Sequence, residues 1–182
     1  MTPGQTIKTF TTKKGNTVVI RYPKWEDLDD VLAFANNLVE EEALLALSKK
    51  QTRAEEAKWM ADTFEKIETG KKIKLVAVVN GKYAGNCEIR IHDNRESHVG
   101  DIGIALSKDY RDEGIGAELL TTLIAQGKNA GLKLLILYCY ENNDRALHLY
   151  EKLGFTRSGL VPGTFAYKGS YIGDVTLYLP LK

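Results

Sequence analysis

The sequence predicts a mixed α/β (α+β) domain: a mostly antiparallel central sheet of about six to seven strands flanked by four helices. Three observations predict it. Short β-branched or aromatic runs recur along the chain, among them TVVIRY, KIKLVAVV and LKLLILYCY. Between them lie stretches whose apolar residues repeat at helical spacing. With 182 residues, 43% of them hydrophobic and 27% charged, the chain is long enough to bury one sizeable core.

Residues 17 to 22 form the first predicted strand, closed by Pro23. From Trp25 a helix follows with Leu28, Val31, Leu32, Ala35 and Leu38 on its apolar face and Asp27, Asp29 and Asp30 near its start, where acids suit the dipole. The spacing of Ala57, Met60, Ala61, Phe64 and Ile67 predicts a second helix over about 54–69, ended by Gly70. KIKLVAVV and KYAGNCEIRI flank Asn80-Gly81 and read as a hairpin, and HVGDIGIAL, residues 98 to 106, as the next antiparallel strand. Ile115, Leu119, Leu120, Leu123 and Ile124 define a third helix, stopped by Gly131. The apolar run at 132–140 reads as a strand buried on both faces, and the helix crossover makes it parallel to 98–106. A fourth helix carries Ala146, Leu149, Tyr150 and Leu153 up to Gly154, and two closing strands are expected at 155–158 and 171–181. Residues 1–16, rich in Thr, Lys and Gly, are expected as a loose arm before a single domain at 17–182.

Charge and cysteine content narrow the function. Lys and Arg number 25 against 24 Asp and Glu, so no strong field draws the chain to nucleic acid or anionic lipid. Cys87 and Cys139 sit in apolar surroundings with neither disulfide nor metal-knuckle spacing, and no metal is expected. The first residues lack the apolar core of a secretory signal and no run approaches the roughly 18 apolar residues of a spanning helix, so a cytoplasmic protein is expected.

The stretch KDYRDEGIGAELL carries the chemistry. A glycine-rich turn feeding a helix presents several amides in one direction together with the positive end of the dipole, which suits an anionic oxygen cluster such as phosphate. Gly114 and Gly116 let the backbone approach a ligand, and Arg111 could add a charge-assisted hydrogen bond. Asp112 and Glu113 oppose a phosphate unless their side chains turn away. No Lys-Ser or Lys-Thr pair follows the glycines, and the third glycine of a dinucleotide fingerprint is absent.

IALSKDYRDEGIG, taken with Asn143-x-x-Ala146-x-x-Leu149-Tyr150-x-x-x-Gly154-Phe155, resembles the GNAT superfamily of acyl-CoA-dependent N-acetyltransferases, and the resemblance spans about residues 17 to 181. It implies a GNAT-type sheet with two splayed parallel strands. It implies acetyl-CoA as acyl donor, its pyrophosphate wrapped by Arg111, Asp112, Glu113, Gly114, Ile115, Gly116 and Ala117 and its pantetheine laid along Ile104, Ala105 and Leu106. Asn143, Ala146 and Tyr150 would complete that site. RESHVGDIGIAL and GSYIGDVTLYL are similar to subgroups that acetylate free amino acids or protein amino termini.

Acetyl transfer to an amine needs a free base, a stabilised oxyanion and a thiolate that can leave. An α-amine, with a reference pKa of about 7.7–8.0, is partly neutral at pH 7, whereas a lysine amine at about 10.4 is almost wholly charged. The resemblance makes Tyr150 the donor of a proton to the thiolate; its place on an apolar helix face also suits core packing. Where ribosomal-protein alanine acetyltransferases carry a glutamate, this chain has Tyr138, so Glu88 and Asp101 are the candidate bases, each equally readable as a strand carboxylate. Glu40, Glu41 and Glu42 could attract a cationic amine, and Tyr167 and Tyr171 could line its pocket. The expected activity is transfer to a primary amine by direct attack; the alternative is a non-catalytic acyl-CoA sensor on the same fold. The last strands are apolar enough to allow a homodimer.

Overall fold

The computed structural model describes residues 2–182. Its strands are β1 (Thr6–Thr11), β2 (Thr17–Arg21), β3 (Lys72–Val79), β4 (Lys82–Ile91), β5 (Val99–Leu106), β6 (Leu134–Tyr140), β7 (Thr156–Tyr167) and β8 (Ser170–Pro180). The helices are α1 (Leu28–Glu40), α2 (Arg53–Glu68), α3 (Ile115–Asn129) and α4 (Asp144–Lys152). All eight strands join one sheet in the order β1-β2-β3-β4-β5-β6-β8-β7. Only the central β5–β6 pair is parallel, because the α3 crossover returns the chain in the same direction.

The mixed sheet with four helices is as expected, with one strand more. The eighth is β1, which lies within the stretch expected as a loose arm and pairs with β2 from Thr6↔Arg21 to Thr11↔Thr17; residue 1 of that stretch lies outside the described residues. Its alternating Thr and Lys residues expose one face and hide the strand signal in composition. The first closing strand is also longer than expected, because β7 runs outward for twelve residues as an exposed ribbon. At the β3–β4 turn Asn80 and Gly81 both have positive φ, 48° and 83°, the backbone a tight hairpin requires.

The two faces of the sheet divide the labour. On one, α3 packs against β3, β4 and β5, burying Ile115, Leu119, Leu120 and Leu123 over Leu75, Cys87 and Ile89. The Cys87 thiol donates there to the Leu119 carbonyl at 3.7 Å, and a Cβ at Gly127 would come within 2.9 Å of Ile89. On the other, α1 and α2 cover β3 and β4. Two expected faces need correction. On α2 the buried residues are Glu56, Met60 and Thr63, while Ala61 is exposed, so the helix is rotated from the apolar stripe that its spacing suggests. On β6 only alternate residues are buried and Tyr138 is 50% exposed, so one face of this strand is open.

Candidate functional site

The β5–β6 ladder runs from Val99↔Leu134 to Ile102↔Leu137 and then stops, although β5 continues to Leu106 and β6 to Tyr140. Each strand remains paired on its outer side, β5 with β4 as far as Leu106↔Gly85 and β6 with β8 as far as Tyr140↔Asp174. The ladder alternation fixes what faces the resulting gap. His92 donates to the Val99 carbonyl at 3.0 Å and Ser107 to the Ala84 carbonyl at 2.8 Å, so Asp101, Gly103 and Ala105 turn their peptide groups to β4. Ile104 and Leu106 turn theirs into the gap. By the same alternation, anchored by Glu141 donating to the Gly173 carbonyl at 3.0 Å, Tyr138 and Tyr140 present theirs from β6. A short segment of extended backbone is therefore wanting between the two strands.

The gap leads to the turn before α3. Gly114 is the N-cap of that helix, with φ 80° and ψ −4°, and a Cβ there would meet nothing within 4 Å. Asp112 also has positive φ, 64°. The amides of Ile115, Gly116 and Ala117, in the first turn, have no acceptor within the helix. Glu113, whose charge opposes an anion, is turned away: its carboxylate accepts from Thr12 Oγ1 at 2.8 Å and Asn16 Nδ2 at 2.7 Å in the β1–β2 turn. These two hydrogen bonds, Asn16 foremost, hold its pKa below the usual value. Asp112 is exposed beside Arg145, 3.2 Å away. Arg111 spans the mouth of the gap. Its Nε donates to the Leu106 carbonyl at 3.0 Å and its terminal nitrogen pairs with Glu41, just beyond α1.

Tyr150, on the α4 helix that follows β6, is 8% exposed and stands edge-on to Phe155 at 6.1 Å. Its hydroxyl has no hydrogen-bond partner among the described residues, and burial, with Cys139 adding to it, raises its pKa well above 10. Asn143 caps the same helix, its side-chain oxygen accepting from the Ala146 amide at 3.3 Å.

The α1/α2 face of the sheet holds a cavity of about 340 Å³ bordered by Gly103, Ile104 and Ala105, the very segment of β5 that flanks the gap. Val31, Phe34 and Leu38 of α1 make it apolar on one side. Glu56, Lys74, Asn86 and Glu88 face it from the other. Lys74 is 3% exposed, donates to Asn86 Oδ1 at 2.9 Å and Glu88 Oε2 at 3.0 Å, and sits 4.7 Å from the Trp59 ring centre. Lys72, 4% exposed, lies 3.3 Å from the same Glu88 oxygen. Burial alone would raise the Glu88 carboxyl, but Lys74, then Lys72 and Arg90, override it and hold the pKa at about 2. Burial in turn lowers Lys72.

These contacts sort the expected site residues. Ile104, Leu106 and the 111–117 turn come together around one continuous gap, with Tyr150 and Asn143 on the helix that follows β6. Glu88 borders the adjoining cavity but is a locked counter-ion, and a carboxylate of pKa about 2 is a weak base toward an ammonium. Asp101 lies 3.0 Å from His92 Nε2, though not aligned for a hydrogen bond. Glu40, Glu41 and Glu42 are each engaged, with Lys50, Arg111 and Lys168 respectively. The Tyr167 hydroxyl donates to the Glu42 carbonyl at 3.0 Å, and Tyr171 is exposed. Glu56, Trp59, Lys72 and Lys74 were missed by sequence reasoning. The available signal was the Lys-Ile-Lys alternation in an otherwise apolar strand, which places two cations on one face.

Similarity to known proteins spans most of the chain. A model of the acetyltransferase (GNAT) family matches residues 39–155. A putative phosphinothricin acetyltransferase of Bacillus subtilis, YwnH, is 23% identical over 148 residues, 80% of this chain and 88% of its own length. The crystal structure of an acetyltransferase of the GNAT family from Streptococcus pneumoniae superposes with a TM-score of 0.80 at 27% identity, covering 90% of this chain and 99% of that one. A phosphinothricin acetyltransferase from Sinorhizobium meliloti, solved in complex with acetyl-CoA, gives 0.79 at 22% identity over 90% and 88%.

Proposed function

This chain belongs to the acetyltransferase (GNAT) family, and on that premise we propose that it moves an acetyl group from acetyl-CoA to a primary amine, that of a small molecule or a peptide amino terminus, by direct attack. The observation that carries the reading is the parting of β5 and β6 after Ile102 and Leu137, which leaves the peptide groups of Ile104 and Leu106 directed at a gap that ends on the Gly114 turn. Pantetheine carries two amides, and it fits such a gap as an added strand. The diphosphate fits the amides that open α3, to which the turning away of Glu113 gives access.

The chain's own groups supply the rest. The amine arrives from the cavity bordered by Gly103, where the lack of a side chain leaves the sheet surface open. Tyr150 donates a hydrogen bond to the sulfur as the carbon–sulfur bond breaks, and the proton that the thiolate finally takes comes from the attacking nitrogen. An acetyl-cysteine route has no support. Burial pushes the Cys139 thiol up to about 12 and the Cys87 thiol higher, so neither is a nucleophile near neutral pH.

Calorimetric titration with acetyl-CoA tests the donor site. Arg111→Glu places a carboxylate beside Glu41 and at the mouth of the gap, and the dissociation constant is expected to rise about tenfold or more, which is ~1.4 kcal/mol or above. Gly114→Val should do the same by filling the open space above the turn, with an added strain of ~1–2 kcal/mol from its positive φ. Unchanged affinity in the Arg111→Glu protein, with its melting temperature retained, overturns the assignment.

A further inference from the structure

We infer that Glu56 is the carboxylate that receives the acceptor's ammonium and takes its first proton, and that the acceptor is a monoamine carried on an apolar body. The inference rests on the acetyltransferase reading above and concerns the other half of the site.

Glu56 stands on the inner face of α2 and is 5% exposed, yet it borders the cavity and has no hydrogen bond or ion pair among the described residues. A carboxylate largely withdrawn from bulk water that opens only onto the cavity, with no protein cation in contact, is placed to receive a cation from there. The groups that face it from the packed elements are already committed. Lys74 on β3 is held by Asn86 and Glu88 of β4 and by Trp59 of α2. Glu88 is saturated by the two lysines. Glu56 is thus the one carboxylate bordering the cavity that lacks a cation at contact distance among the described residues, and a second ammonium on the acceptor would find none. Opposite it, Val31, Phe34 and Leu38 offer hydrocarbon.

The proton balance is simple. The ammonium gives one proton to the Glu56 carboxylate, the neutral nitrogen bonds to the acetyl carbon, and the carbon–sulfur bond breaks. The nitrogen's second proton goes to the departing thiolate, and Glu56 later releases its own to water. Burial, against a smaller pull from Lys74, raises the Glu56 pKa, and the same desolvation lowers that of a bound ammonium, so transfer between them becomes easier from both sides.

The experiment is thiol release from acetyl-CoA with L-leucinamide or spermidine as acceptor, in wild type, Glu56→Gln and Glu56→Asp. L-leucinamide is expected to exceed spermidine in kcat/KM by about tenfold or more. Glu56→Gln should lower kcat with L-leucinamide about 100-fold, with acetyl-CoA affinity and melting temperature retained, and Glu56→Asp should recover part of it. Below the amine's own pKa of about 8 the Glu56→Gln rate should fall tenfold per pH unit, while the wild-type rate holds to lower pH. A Glu56→Gln rate within threefold of wild type across pH 6–9, no turnover of L-leucinamide, or a preference for spermidine overturns the inference. Loss of acetyl-CoA binding by the wild type would instead overturn the donor-site reading, so the two failures are distinguishable.

Discussion

Tyr150→Phe is expected to lower kcat on the order of 1,000-fold while leaving acetyl-CoA affinity and the melting temperature nearly unchanged. The expectation follows from the environment of one oxygen. Tyr150 is 8% exposed, its ring is held against Phe155, and its hydroxyl has no protein partner among the described residues. Removing that oxygen orphans nothing, so the usual penalty for breaking a buried hydrogen bond is absent. What is lost, on the proposed mechanism, is a donor to the sulfur. Because burial, then Cys139, pushes the phenol's pKa up, it stays protonated through the working range, and the wild-type kcat should show no alkaline fall attributable to it up to about pH 10. Steady-state kinetics with calorimetry decides: a Phe variant with unaltered kcat makes Tyr150 a packing residue.

Glu88→Gln is expected to destabilise the fold by about 3–5 kcal/mol, the range for removing one partner of a buried ion pair. Lys72 and Lys74 are 4% and 3% exposed and both rely on the same Glu88 oxygen, so the variant leaves two ammoniums against a neutral amide. Denaturant titration measures the loss directly, and acid gives the same information in the wild type. The folded Glu88 pKa of about 2 lies below its ordinary 4.5, so its stabilisation is complete above pH 4.5 and is lost as pH falls toward 2. A Glu88→Gln protein within 1 kcal/mol of wild type would mean that the lysines find water, and that the cluster is looser than its distances imply.

The fold was legible where hydrophobic period and turn chemistry agree. The Asn80-Gly81 hairpin, the α3 crossover and the glycine turn at 114 to 116 each carry their own local signal. The β1 strand was not legible, because an edge strand of Thr and Lys has little apolar pattern to betray it. The gap and glycine turn proposed for the donor were readable as local features since they are built from one contiguous turn and the strand before it. The cavity proposed for the acceptor draws on α1, α2, β3, β4 and β5 at once, and no local window reports that Glu56, Lys74 and Glu88 share it. The α2 face was misjudged for the same reason. Its polar Glu56 and Thr63 lie on the inner face, Glu56 beside the cavity and Thr63 against Lys72, which donates to Thr63 Oγ1 at 3.4 Å, against the rule that apolar residues mark the inner stripe.

Arg111 has a mechanical consequence. One guanidinium joins the last carbonyl of β5 to Glu41, so the strand segment beside the gap is leashed to the end of the helix whose Val31, Phe34 and Leu38 line the cavity. On the proposed reading, a diphosphate settling on that turn should tug the leash and narrow the cavity. The two substrates should then enter in a compulsory order, coenzyme ahead of amine, and product inhibition by coenzyme A should be competitive against acetyl-CoA and mixed against the amine.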